Sequence, residues 1–241
     1  MATFIFEGAI AVGKSSLIKN VETILKSEFD LETDLYLEPV SQWTKTRGGN
    51  LLCSLGDSMK KYGFITQAMV MSSLKLQRRE ISENRKSLNL LERSIWSSKH
   101  VFQKTLDELG MLSKLEADVL ENLYLSLLEK YDKPTAIIYL KTPADVAWDR
   151  CKIRNYASDR TIKRNYFDKI IENYENYINK ERDSGTDILT LNTDQSQKSL
   201  ARQAAKYIKS KFMEYKFNEL NLCSCGNCQE CEWSLVHEWL E

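Results

Sequence analysis

The sequence predicts an α/β fold in which one five-stranded parallel sheet is flanked by helices. Three observations predict it. Five short apolar runs read as strands, helical stretches separate them, and a glycine-lysine loop, Gly8-Ala9-Ile10-Ala11-Val12-Gly13-Lys14-Ser15, joins the first strand to the first helix.

Taken in order, Thr3-Phe4-Ile5-Phe6 is a β-branched and aromatic run that suits a buried strand. Beyond the loop, Leu17, Ile18, Val21, Ile24 and Leu25 recur at helical spacing and predict a helix over 14–27. Further strands are expected at Asp34–Glu38, Leu88–Glu92, Ala136–Leu140 and Asp187–Leu191. Helices are expected over 57–83, 95–107, 114–130, 144–154, 161–182 and 196–217. In 114–130, Leu115, Val119, Leu120, Leu123, Leu127 and Leu128 form a stripe that is either core or a subunit contact.

Composition narrows the class. With 241 residues, 42% of them hydrophobic, and only 9 Gly and 3 Pro, the chain suits one compact, helix-rich domain. Its 34 basic and 34 acidic residues cancel, which argues against a nucleic-acid partner bound through a basic face. No apolar stretch approaches the ~20 residues of a membrane span, and the N-terminus has no basic, apolar and small-residue sequence of a leader. The expectation is a cytoplasmic protein with no membrane partner, whose first strand at Thr3 leaves no room for a presequence.

The glycine-lysine loop carries the first chemistry. Consecutive backbone N–H groups at a helix N-terminus cradle an anion, Lys14 can reach the β- and γ-phosphates of a nucleoside triphosphate, and the Ser15 hydroxyl can ligate Mg²⁺. Glu38 and Glu92 each close a strand candidate, and ligands of open α/β sheets collect beyond the carboxyl ends of strands. Both carboxylates are therefore expected to face the phosphate site.

Around these strands the chain reads Glu38-Pro39-Val40-Ser41-Gln42-Trp43, then Glu92-Arg93-Ser94, then Arg150-Cys151-Lys152-Ile153-Arg154. Together with the phosphate loop, and in this order, these segments resemble the deoxynucleoside kinase family over residues 3 to 192. The resemblance implies a P-loop kinase fold with a short lid, ATP and Mg²⁺ as cofactors, and a 2′-deoxynucleoside as acceptor. It implies that Glu38 is the base that takes the acceptor proton, that Arg93 holds the 5′ end and Glu38, and that Glu92 lies beside Mg²⁺ with Ser15. Residues Gly8 through Ser16, with Arg150, Lys152 and Arg154 of the lid, would bind the triphosphate. Trp43, Gln67, Val70, Leu74, Ser98, Phe102 and Asp159 would line the nucleoside pocket, with Gln67 pairing to the base edge and Phe102 stacking on it.

Leu74 and Ser98 stand where the family's deoxycytidine and deoxyguanosine branches place an arginine and an aspartate. The resemblance is therefore nearest to the thymidine-accepting, broad-specificity branch. Gly56 replaces a tyrosine, Tyr156 a lid arginine and Asp159 a glutamate, so sugar contacts are expected to be rearranged, with Tyr62 or Arg160 as substitutes. Family likeness also implies a homodimer formed through helices.

The domain is expected to occupy 1–217, followed by a Cys-rich tail at 218–241. There Cys223, Cys225, Cys228 and Cys231 supply four thiolates, enough for a tetrahedral Zn²⁺ site that catalysis would not require. Two other readings compete. A thymidylate or other nucleoside-monophosphate kinase shares the loop and lid but needs cations for an acceptor phosphate, where Glu38 puts a carboxylate. A nucleotide-controlled switch would need the guanine-reading Asn-Lys-x-Asp segment, which the sequence lacks.

Overall fold

A computed structural model describes residues 1–83, 88–128 and 132–221. Its five strands, β1 (Ala2–Glu7), β2 (Asp34–Tyr36), β3 (Leu88–Glu92), β4 (Ala136–Lys141) and β5 (Ile188–Asn192), pair in parallel in the order β2-β3-β1-β4-β5. Strand β1 is central because its Phe4, Ile5 and Phe6 are buried on both sides, as parallel strands covered by helices must be. The pairing sets Phe6 beside Glu92 and Glu7 beside Tyr139, so the loop after β1 emerges where the chain splits toward β3 and toward β4. That split is where open α/β sheets form a crevice.

Helix α1 (Lys14–Phe29) buries Leu17, Ile18, Val21 and Leu25, packs against β1 and is covered in turn by α11 (Gln197–Asn221). Helix α11 runs four residues past the expected domain end at 217. The four clustered cysteines lie outside the described residues.

Short helices were not foreseen. These are α2 (Val40–Thr44), α3 (Leu51–Asp57) capped by the Asn50 side chain on Cys53 N–H, and later α9 (Ala157–Thr161). Between α2 and α9 lie the long α4 (Met59–Glu83) and a segment read as one helix over 95–107. The latter is α5 (Ile95–Ser97), a π-helical turn (Ser98–Gln103) and α6 (Lys104–Glu108). After α7 (Lys114–Leu128) and β4 come α8 (Ala144–Arg154) and α10 (Arg164–Asp183). Of the α7 stripe, Leu120 and Leu127 are buried, whereas Leu115 and Val119 are exposed. Among the described residues no helix is long and apolar enough to cross a membrane.

Candidate active site

Strand β1 delivers the loop, and α1 receives it. Gly13, at φ 98°, caps α1 in the left-handed region, where glycine carries no Cβ penalty. Ala9 and Val12 anchor the loop in the core, leaving Ile10, Ala11, Gly13, Lys14, Ser15 and Ser16 on the wall of a cavity of 410 Å³. Lys14 is buried, with Nζ donating to Gly8 O at 2.8 Å and Ala9 O at 2.9 Å. Burial lowers its pKa, an effect that Glu38 and Glu92 oppose. A phosphate would add the counter-charge this ammonium faces only in part.

At the end of β3, Glu92 is nearly fully buried and accepts from Ser15 Oγ at 2.7 Å, while its other oxygen accepts from Glu38 N–H at 3.4 Å. These are hard oxygen donors beside the phosphate loop, a set that fits Mg²⁺, which takes few protein ligands and completes its shell with phosphates and water. Among the described residues no three His, Cys, Asp or Glu side chains gather as a metal site by themselves.

The next residue, Arg93, sits at φ 66°, a left-handed conformation that costs a non-glycine residue about 1–2 kcal/mol. Its N–H bonds Phe6 O at 3.0 Å, which holds the turn. The turn aims the guanidinium across the cavity, where Nη1 donates to Glu38 Oε1 at 2.6 Å and the plane lies 3.6 Å from the Phe102 ring centre. Burial works against the Arg93 charge, but Glu38, Tyr174 and Glu7 outweigh it and raise the pKa above the ordinary arginine value. Its Nε is buried with no hydrogen-bond partner among the described residues. Glu38 itself is not at a strand end: β2 stops at Tyr36, and Glu38 reaches Arg93 from the connection into α2.

Part of the cavity wall is apolar. Val70, Phe102 and Trp43 line it, Trp43 fixed by its indole N–H on Ser73 Oγ at 3.1 Å. Gln67 is buried among them with its carbonyl oxygen unpartnered, a cost of about 1–3 kcal/mol that a ligand N–H would remove. The π-turn contributes here, since its wider winding carries Phe102 to the face of Arg93.

Other expected residues stand elsewhere. Leu74 and Ser98 are buried but do not line this cavity: Leu74 lies behind the wall beside Ile81 and Trp96, and Ser98 Oγ donates to Ser94 O at 3.1 Å. Of the lid cations only Arg154 lines the cavity. Arg150 donates to Thr193 Oγ1 and O at 3.0 and 2.8 Å, and Lys152 donates to Asp159 O at 3.0 Å while covering the Trp148 ring. Asp159 lines the wall with both oxygens engaged by Arg154, at 2.6 and 2.8 Å. Neither Tyr62 nor Arg160 lines the cavity; Arg160 donates to Asn155 Oδ1.

Gly56 meets the lid directly. A Cβ there would lie 2.0 Å from Thr161 Oγ1, so α9 occupies the space a side chain at 56 would fill. Met59, Ile162 and Tyr166 also line the wall and carry no signal of it in the chain, because each belongs to the apolar pattern of its own segment. Glu7, a carboxylate that ends a buried strand, is itself fully buried.

A group held beside Glu38 in this cavity meets whatever Lys14 and Ser15 grip, and a parallel sheet with that meeting point at its strand ends defines a P-loop phosphotransferase. The family model described as "Deoxynucleoside kinase" matches residues 4–215. The mitochondrial deoxyguanosine kinase of Xenopus laevis is 26% identical over 196 residues, covering 73% of this chain and 72% of that protein. Human mitochondrial thymidine kinase 2 is 27% identical over 175 residues, covering 72% of this chain and 63% of that protein. A deoxyadenosine kinase structure from M. mycoides superposes with a TM-score of 0.73 at 16% identity, over 86% of this chain and 99% of that one. This chain belongs to the deoxynucleoside kinase family, with the P-loop kinase fold and the ATP-dependent phosphorylation of deoxynucleosides that membership carries.

Proposed function

We propose that the protein transfers the γ-phosphoryl group of ATP to the 5′-hydroxyl of a 2′-deoxynucleoside, with thymidine favoured and other deoxynucleosides accepted. The observation that carries this reading is that Lys14 and Ser15, the Glu38–Arg93 ion pair, and Gln67 with Phe102 all line one cavity. That set of groups suits a triphosphate, a hydroxyl and a planar base.

Glu38 accepts the 5′-hydroxyl proton as the 5′ oxygen bonds to the γ-phosphorus and the bond to the β-phosphate oxygen breaks, giving the deoxynucleoside monophosphate and ADP. Arg93 orients Glu38 through the 2.6 Å bond and keeps donors free for the substrate. Lys14, the loop N–H groups and Arg154 bind the phosphates. Ser15 and Glu92 would hold Mg²⁺, which when bound neutralises charge on the β- and γ-phosphates. Arg150 and Lys152 support the lid that carries Arg154.

Gln67 reads the base edge, its carbonyl oxygen accepting from a base N–H, and Phe102 stacks on the ring. Support for thymidine is that the wall around Gln67 is apolar and that Leu74 and Ser98, both neutral, put no charge behind it to oppose a ring methyl group. A homodimer is part of the reading, supported by exposed Leu115, Val119 and Leu125 on α7 and exposed Ile65 and Leu76 on α4, two helices that pack together. So is a cytoplasmic location, which cell fractionation checks.

The test is a phosphoryl-transfer assay with labelled ATP, Mg²⁺ and a panel of deoxynucleosides and their monophosphates. Thymidine should show the highest kcat/KM; a higher value for deoxycytidine or a purine removes the preference, and phosphorylation of monophosphates alone removes the reading. Glu38→Gln should lower kcat by about 10²–10⁴-fold with nucleoside binding retained. An unchanged rate would strip Glu38 of its role.

A further inference from the structure

Glu7, the last residue of β1, is completely buried and does not line the cavity. Side chains alternate along a strand, so Glu7 points to the opposite face from Phe6, toward the turn after β3 and toward α10. There Oε1 accepts from Ser94 Oγ at 2.5 Å, and Oε2 accepts from Tyr174 Oη at 3.2 Å. A buried carboxyl group is costly unless its oxygens are used, and here both are used on groups that flank Arg93.

The two bonds reach Arg93 from different directions. Ser94 is the residue after Arg93 and caps α5, its Oγ accepting from Ser97 N–H at 3.2 Å, so tethering it to Glu7 fixes the backbone just beyond the left-handed residue. Tyr174 meets Phe102 edge-to-face, with centroids 6.0 Å apart and planes at 87°, and Phe102 is the ring beneath the Arg93 guanidinium. One carboxyl group thus holds both the turn that aims Arg93 and the ring stack that supports it.

We propose that Glu7 is a positioning residue for phosphoryl transfer: by holding Ser94 and Tyr174 it sets the turn at Arg93, and thereby where Arg93 places Glu38. The inference rests on the reading of Glu38 as the base and Arg93 as its holder. It assigns Glu7 an effect on kcat that passes through Arg93 and through nothing else.

Glu7→Gln keeps the side chain's volume but leaves one acceptor oxygen for two hydroxyl donors. Steady-state kinetics of E7Q should show kcat lowered by at least about fivefold, with the KM values for ATP and nucleoside changed less than that. Because groups that act as a unit are non-additive, adding E7Q to Arg93→Gln should lower the single-turnover rate less than about fivefold further. A kcat within fivefold of wild type, or a full fivefold loss repeated on the R93Q background, would overturn the proposal and leave Glu7 a residue of the fold alone. Tyr174→Phe removes only the hydroxyl. It should show the same dependence on Arg93, and it decides the matter if E7Q does not fold. Glu38→Gln separates this inference from the reading beneath it: E38Q at the wild-type rate sinks the base, whereas a slow E38Q with an unaffected E7Q sinks only the role of Glu7.

Discussion

The stability of the Glu7→Gln variant relative to wild type should rise as pH goes from 4.5 to above 7. Burial pushes the Glu7 carboxyl up to about 7 from 4.5, although Ser94, Arg93, Ser97 and Lys14 all pull the other way. Between those values the folded chain keeps a proton that the unfolded chain has lost. The contribution of Glu7 to stability is therefore fully present below pH 4.5 and is lost as pH rises through about 7. The gap between the two values corresponds to about 3 kcal/mol, and because Glu7 is fully enclosed, solvent does not screen it. Gln does not titrate, and its altered hydrogen bonds shift stability by an amount independent of pH. Urea unfolding of both proteins from pH 4.5 to 8.5 isolates the effect, since other titrating groups cancel in the difference. The stability of E7Q minus that of wild type should rise by about 3 kcal/mol across the range. A difference constant within about 1 kcal/mol would refute the reasoning.

Gly56→Ala should force α9 away from α3, because the new Cβ meets Thr161 Oγ1 at 2.0 Å and its backbone carbonyl carbon at 2.8 Å, and backbone cannot rotate aside. A cost of about 1–3 kcal/mol by thermal unfolding and a raised KM for nucleoside are expected; an unchanged KM would separate this contact from the pocket. His100, stacked on Tyr177, is held down to about 4 by burial, with Lys180 and Lys99 adding to the effect. Stability should therefore fall as pH drops from about 6.5 to 4, by roughly 1–2 kcal/mol once solvent screening of this half-buried ring is allowed for, and His100→Asn should remove that slope from urea titrations.

Local pattern made much of this molecule legible. Strand β3 spans Leu88–Glu92 as expected and α8 spans Ala144–Arg154 as expected, because each is long enough to display its period. Helices α2, α3 and α9 were invisible for the converse reason: none exceeds seven residues, too few for a 3.6-residue repeat. Strand β2 stopped short of Glu38 because Pro39 follows and the chain turns into α2, so the carboxylate was anticipated in the right neighbourhood for a reason that does not hold. Within the site, Gln67, Phe102 and Trp43 line the same cavity as Lys14 and Glu38. Arg150, Lys152, Leu74 and Ser98 make other contacts, which only packing could reveal.

What the chain alone determined is its class: a phosphate loop needs consecutive residues, so its glycines, lysine and serine can be read in a line. What only tertiary structure decided is how distant residues meet. Glu38 and Arg93 are 55 positions apart and Glu7 and Tyr174 are 167 apart. No spacing rule covers such pairs, because their distance depends on the order in which parallel strands are laid side by side and on one left-handed turn at Arg93. Sheet order is a property of the whole core, in which every strand competes for burial at once, and it leaves no mark on any single stretch of sequence.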